Sequence, residues 1–294
     1  MPILNLDLVA HVFSFVDLHT LLATCRPSSK KHLALADKEV LRRLNAVFAW
    51  FANDVEEMRN CLRSNAAFVA GSLPLTLFAA VPFEPRTADI FVPVSRAAAL
   101  ILHLSSVESY SQTSQEYLPY GPPIPTDPTQ DSAIVNYGPG LISVTTLRRG
   151  TTLVQVFTFA DPIPFTLSVD TITLSWTTAL FNFVCADYAG CAYPILTHRG
   201  RALFHLQRFL RGMPGTNSDH ILNSYADRGF EFAQHPNWWF EPMTRPCPRG
   251  FNCPLQSRAF EDGGVLIIPV SARLSLPVGR RWLFGGVDES IHDN

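Results

Sequence analysis

The segment AAFVAGSLPLTLFAAVPFEPRTADIFVPV, residues 66–94, decides the fold class. It begins with a short apolar run, Ala66–Ala70, which ends at Gly71-Ser72 and predicts a strand that closes in a tight turn. Leu73–Ala80 follows with helical character, and Asp89–Val94 is a second strand candidate. A strand, a helix and another strand in one segment predict an α+β fold with helices flanking a mixed sheet.

Upstream of this segment, residues 1–50 carry apolar residues at helical spacing, which predicts a helical N-terminal region. Asp17 is the expected N-cap of a short second helix, and Ser28 or Ser29 that of a third. Asn53 and Glu56 have the spacing of a capping box, which predicts a helix over residues 54–63.

Downstream, the pattern is less regular. Residues 105–140 are rich in polar residues and proline and predict a long loop insertion within a core of residues 51–235. The remaining predictions are a hairpin of Leu141–Leu147 with Thr152–Phe159, a strand at Phe165–Val169, a buried helix at Ile172–Ala186, and an irregular C-terminal extension over residues 236–294.

Composition excludes several classes of protein. Of 294 residues, 47% are hydrophobic and 16% charged, which is the composition of a globular chain. A net charge of −2 gives no electrostatic basis for dedicated nucleic-acid binding. The sequence shows no signal peptide and no apolar run typical of a membrane span. Six scattered cysteines do not indicate a disulfide scaffold. We therefore expect an intracellular protein, cytoplasmic or nuclear, with reduced thiols.

Cys247 and Cys253 stand six residues apart near His235. This spacing is wider than that of most zinc sites, so a loop with reduced thiols is the main interpretation and a local zinc knuckle the alternative.

The apolar pattern of LNLDLVAHVFSFVDLHTLL, residues 4–22, resembles an F-box, the short helical motif that binds the Skp-type linker of cullin ubiquitin ligases. The resemblance covers about the first 45 residues, and Asn5 stands where the motif usually has proline. It implies an apolar docking face for the linker, formed by Leu8, Val9, Val12, Phe15, Leu18, Leu21 and Leu22. The other interpretation is a helical hairpin that covers the core of the main domain.

Phe68–Ser72 and Thr87–Pro93 together resemble the core of nucleotidyltransferases, as found after an F-box-like start in many fungal proteins. In that family Gly-Ser at a helix N-terminus holds the triphosphate, which would place Gly71 and Ser72 at a nucleotide. The resemblance also implies Asp89 and Asp170 as catalytic residues and magnesium ligands. Thr87 stands where the family has a further aspartate, so one of three expected carboxylates is absent.

The loss of that carboxylate favours a protein without catalysis and without a cofactor. The resemblances together imply a substrate-recognition adaptor of a cullin-type ubiquitin ligase, with a degenerate nucleotidyltransferase-like domain presenting a surface to an unknown protein target. The first alternative is a nucleotidyltransferase or nucleotide-binding protein that uses magnesium and a nucleoside triphosphate. The second is a structural or interaction domain whose N-terminal helices bind no linker.

Overall fold

A computed structural model describes residues 6–117, 141–161, 169–205, 217–239, 250–270 and 281–284. The α-helices of these residues are α1 (Leu6–Phe15), α2 (Leu18–Thr20), α3 (Lys30–Ala49), α4 (Val55–Ser64), α5 (Ser72–Phe78), α6 (Ala97–Ser106), α7 (Pro194–His198) and α8 (Asn217–Ala226). One π-helical turn spans Leu21–Cys25, and 3₁₀ turns span Arg26–Ser28, Val94–Arg96, Asp170–Leu174, Thr178–Leu180 and Pro236–Trp238.

The strands of the described residues are β1 (Phe68–Ala70), β2 (Thr87–Pro93), β3 (Ser111–Tyr117), β4 (Leu141–Arg149), β5 (Thr152–Phe159), β6 (Asn182–Val184), β7 (Tyr188–Cys191), β8 (Arg201–Leu203), β9 (Glu231–Ala233) and β10 (Leu266–Pro269). Eight of them form one sheet in the order β10-β7-β6-β1-β2-β5-β4-β3. The pair β2–β5 is parallel and the other pairs are antiparallel, so the sheet is mixed, as expected. Strands β8 and β9 form a separate parallel pair.

Side-chain alternation along the strands divides the core into two layers. In β2, Ile90 faces the layer of the N-terminal helices and α6, whereas Phe91 faces the opposite layer. On the second face Phe68, Phe91 and Phe157 lie in register across β1, β2 and β5. The ring centroids of Phe68 and Phe91 are 5.2 Å apart and those of Phe91 and Phe157 are 4.9 Å apart. The ring planes are nearly parallel, so three strands share one aromatic stack.

Several local predictions are confirmed. Asp17 accepts a hydrogen bond from the Thr20 amide at 2.8 Å and caps α2, and Ser29 caps α3 through the His32 amide at 3.1 Å. The α+β class, the β1–α5–β2 order and the β4–β5 hairpin are as expected.

Other predictions are wrong in detail. The N-cap of α4 is Asp54, whose side chain accepts from Glu57, one residue beyond the predicted capping box. Ile172–Ala186 is not a helix, because two 3₁₀ turns and strand β6 occupy it. Its apolar residues are buried on both sides of short segments, a pattern that periodicity does not distinguish from a buried helix.

The predicted insertion over residues 105–140 contains strand β3, and residues 118–140 lie outside the described part. The predicted strand at residues 165–169 also lies outside it, except Val169, which is buried but is not in a strand. The domain boundaries near residues 50 and 235 remain predictions. The described C-terminal residues, however, pack into the core: β10 joins the sheet, and Phe260, Trp282 and Phe284 belong to the aromatic layer.

The cysteines differ in their state. Cys25, Cys61, Cys185 and Cys191 are free thiols. Cys253 is disulfide-bonded, so the expectation of reduced thiols is wrong at this position, and a disulfide sulfur is not a thiolate ligand for zinc. Cys247 lies outside the described residues. Within the described residues, no helix is both long enough and apolar enough to cross a membrane.

Candidate functional site

Helix α1 is held against α3 by hydrogen bonds from Arg43, which a partly buried ion-pair cluster on α3 holds in place. The Arg43 guanidinium donates to the carbonyls of Phe13 at 2.8 Å and Val16 at 2.6 Å, at the C-terminal end of α1 and just beyond it. Glu39 accepts from Arg42 and Arg43 at 2.7 Å each. Burial raises the pKa of the Glu39 carboxyl, but the hydrogen bonds from both arginines outweigh this effect and hold it below its usual value. These contacts join the C-terminal end of α1 to α3.

The seven residues of the predicted docking face divide into two groups. Val9, Leu18 and Leu21 are buried in the helical layer, and Leu22 is partly buried. Leu8, Val12 and Phe15 point outward with 52%, 48% and 76% of their surfaces exposed. Their spacing of four and three residues places them in one stripe. We call Leu8, Val12 and Phe15 the α1 ridge.

Leu22 lines a shallow groove of about 380 Å³ with Pro27, Ser29, Lys30 and Leu33. Leu33 is itself partly exposed, at 38%. The N-terminal helices therefore present both an apolar ridge and an apolar-lined groove, whereas the inward residues of the predicted face serve the core.

The second candidate site lies where β1 ends. Gly71 has φ +79° and ψ −147°, a backbone conformation that is essentially confined to glycine, and it leads into α5 at Ser72. Ala70 pairs with Asp89 in the β1–β2 register, so the carboxylate lies on the strand next to this turn. Ser72 and Asp89 are both buried, at 8% and 7% exposure. The structure thus brings Gly71, Ser72 and Asp89, three of the four predicted nucleotide-site residues, together where β1 ends beside β2.

The fourth predicted residue, Asp170, begins a 3₁₀ turn rather than following a strand, and its side chain lies outside the described part. Among the described residues, no group of three or more His, Cys, Asp or Glu side chains is placed to hold a metal ion. Asp89 is the only predicted magnesium ligand whose side chain is described, and one carboxylate does not complete the site that the resemblance implies.

Tyr225 and Arg228 join this region from α8 and the turn after it. Burial raises the pKa of the Tyr225 hydroxyl to about 12; the Arg228 charge opposes this rise and the Asp89 charge adds to it. The Arg228 guanidinium lies over the rings of Tyr225, at 4.9 Å, and Phe83, at 5.2 Å. Both residues lie in the segment YADRGF, residues 225–230, and no spacing rule connects that segment with Asp89.

Comparisons of the chain with protein-family models, with curated proteins and with solved structures find no match.

Proposed function

We propose that the protein is a non-catalytic, intracellular adaptor whose N-terminal helices bind the Skp-type linker of a cullin ubiquitin ligase. The observation that carries the proposal is the α1 ridge. Three large apolar side chains stand exposed in one stripe on a helix whose opposite face is already packed. Such a stripe is the surface that a helical partner groove covers.

The inward residues explain why docking does not require the helices to open. Val9 and Phe13 pack in the layer that also contains Ile90 and Val154 of the sheet. The ridge is therefore presented on a fixed support, and binding orders no new helix. The rest of the fold presents the surface for the protein target, whose identity the chain does not reveal.

The experiment measures the affinity of the full-length chain for a recombinant Skp-type linker, with Phe15→Asp and Leu8→Asp as test variants. An apolar anchor at the centre of an interface contributes about 2 kcal/mol or more, so each variant should weaken binding about thirtyfold or more. Leu102→Asp is the matched control, because Leu102 is 66% exposed on α6.

Three results would contradict the proposed adaptor function: the unmodified chain fails to bind the linker, Leu102→Asp weakens binding as much as the ridge variants do, or the ridge variants lose helicity. The first result would favour a structural role for the N-terminal helices, since α3 contributes Ala36, Val40 and Leu44 to the core.

A second candidate function is nucleotide binding at the β1–α5 turn. The observation in its favour is the buried Asp89 carboxylate next to the glycine-dependent turn at Gly71. Titration with a nucleoside triphosphate, with and without magnesium, tests it, and Asp89→Asn should abolish the signal. We derive no transfer step, because the described side chains do not complete a metal site.

A further inference from the structure

Strand β3 forms one end of the eight-stranded sheet. Within the described residues it pairs with β4 on one side only, so its other edge presents backbone N–H and C=O groups without a ladder partner. The side chains of all seven residues, Ser111–Tyr117, are exposed. An open strand edge is a template for another extended segment.

The two ends of the sheet are protected very differently. Strand β10, at the opposite end, has four residues, ends at Pro269 and is partly buried. Strand β3 contains no proline, lysine or arginine, which are the residues that usually guard an edge, and its only charge is Glu116. Its one irregularity is a bulge at Thr113, where the register with β4 shifts.

The chemistry of β3 favours a second copy over a foreign peptide. Its two faces are polar and exposed, so they offer no apolar socket that would select a peptide side chain. What β3 does offer is complementarity to itself. In an antiparallel pair of identical strands, residues that face each other lie on the same side of the sheet, so the two-fold axis must pass through a residue.

Three residues near the middle of the strand can carry that axis. An axis at Glu116 places two like charges opposite each other, which destabilises a strand pair. An axis at Ser114 places the Thr113 bulge directly beside the axis in both copies, where it interrupts the centre of the ladder. An axis at Gln115 pairs Ser114 with Glu116, so that a hydroxyl can donate to each carboxylate, and leaves the Thr113 bulge at the outer end of the ladder in both copies.

We propose that two copies of this chain associate through antiparallel β3 strands about a two-fold axis at Gln115. The pairing joins the two eight-stranded sheets into one continuous sheet and closes the exposed edge of each copy. It places the Gln115 α-carbons of the two copies about 4.5–5.5 Å apart, which is the separation of directly opposed residues.

Cross-linking tests the register. Gln115→Cys brings two thiols to a separation that a disulfide spans, so mild oxidation should yield a covalent dimer on non-reducing gels. Gln112→Cys is the matched control, since in this register its two copies lie about 20 Å apart along the strands. The unmodified chain controls for its partly exposed thiols, Cys25 and Cys61.

Charge substitutions at Ser114 test the association by light scattering over a concentration series. Ser114→Glu places like charges opposite Glu116 twice and should raise the dimer dissociation constant at least tenfold, whereas Ser114→Lys creates two opposite-charge pairs and should lower it. A monomer at every concentration would overturn the proposal. So would a covalent dimer of Gln112→Cys or Ser114→Cys without one of Gln115→Cys, or equal dissociation constants for the two Ser114 variants. If β3 instead binds an extended partner of another kind, light scattering of the isolated chain should give the mass of a monomer.

Discussion

The two faces of the eight-stranded sheet are packed in different ways. One face is covered mainly by regular helices, and its core is mostly aliphatic, with residues such as Val40, Leu44 and Leu100. The other face is covered by 3₁₀ turns, short helices and the C-terminal residues, and its core is largely aromatic, with Trp176, Phe181 and Trp282 among its members. Helices supply aliphatic side chains at a regular spacing. Irregular backbone has no such period, and large rings fill the space between its segments.

Among the described residues, each face contains one charged residue whose surface is fully buried, and the two charges have opposite signs. On the aromatic face, Arg258 donates to Asp262 at 2.6 and 3.0 Å, to the Ala192 carbonyl at 2.9 Å and to the Phe251 carbonyl. Its guanidinium also lies 4.8 Å from the centre of the Tyr193 ring. The Arg258 guanidinium thus joins the segment around Ala192 to the C-terminal segment of residues 251–262, although the two are far apart in sequence.

On the helical face, Glu108 accepts from the Asn53 amide at 2.6 Å and from Arg149 at 3.2 Å. Arg149 also donates to the Phe51 carbonyl at 2.9 Å, so the turn after α3 is fixed to the β4–β5 hairpin. Oε1 of Glu108 is buried and accepts no hydrogen bond from the described residues. The buried charge of the irregular face uses four of its five N–H groups, whereas one carboxylate oxygen of the buried charge on the helical face accepts no hydrogen bond from the described residues.

The largest loss in the free energy of unfolding is expected for Arg258→Met. The substitution leaves two carbonyls without the Arg258 donor and leaves Asp262 with only the Ala259 and Gly264 amides, and removal of one partner of a buried pair costs about 3–5 kcal/mol. Urea unfolding measures the loss. Arg281→Met is the control, because Arg281 is exposed and donates only to Ser257 within the described residues; its cost should stay below about 0.5 kcal/mol. Equal losses in the two variants would contradict the role of Arg258.

A smaller loss is expected for Glu108→Gln. The amide keeps an acceptor for Asn53 and removes the charge that faces Arg149, which should cost about 1–3 kcal/mol in the free energy of unfolding. Glu57→Gln, at an exposed position on α4, serves as the control. If Glu108→Gln cost as much as Arg258→Met, the contrast between the two faces would be wrong.

Acid should weaken the aromatic face through Asp262. Burial raises the pKa of its carboxyl, but hydrogen bonds from Arg258 and from the Ala259 and Gly264 amides outweigh this and hold it below the usual value of 3.8. A carboxyl with a lowered folded pKa stabilises the fold above its unfolded pKa, and this contribution is lost as the pH falls through the folded pKa. The stability gap between the unmodified chain and Asp262→Asn should therefore be full at pH 6 and shrink below pH 4. A gap that stays constant from pH 6 to pH 3 would refute this coupling.

The smallest effect on stability is expected at the α1 ridge. Phe15→Ala removes a side chain that is 76% exposed and should change the free energy of unfolding by less than about 0.5 kcal/mol. Phe13→Ala, on the buried side of the same helix, should cost about 3–5 kcal/mol. Thermal unfolding of the two variants measures the difference, and a large loss in Phe15→Ala would mean that the ridge is part of the core rather than a docking surface.

The sequence predicts those parts of the fold whose physics is local. The caps at Asp17 and Ser29 depend on one side chain and an amide three residues away, and both were predictable. Strand β3 was not, because a strand exposed on both faces shows no apolar alternation. The role of Arg258 was also unpredictable, since its acceptor on Ala192 is 66 residues away in sequence.

The candidate sites show the same limit. The Gly71-Ser72 turn and Asp89 could be placed together from neighbouring strands, but Tyr225 and Arg228 reach them only through tertiary packing. Helical spacing indicated an apolar face on α1, yet spacing alone did not separate Leu8, Val12 and Phe15 from the inward residues. That division depends on tertiary contacts, namely the packing of Val9 and Phe13 in the core and the hydrogen bonds from Arg43 to the end of α1.

The late position of β10 has a consequence for biosynthesis. Strand β10 completes the sheet, and Phe260, Trp282 and Phe284 complete an aromatic layer, both of which begin with β1, β2 and β5 in the first 160 residues. At about 5–20 residues per second, a ribosome needs about 3–13 s to travel from β8 to β10. Throughout that interval Phe181, Phe183 and Tyr193 lack the rings of Phe260, Trp282 and Phe284 that they contact in the folded chain, so apolar surface stays exposed on the nascent chain.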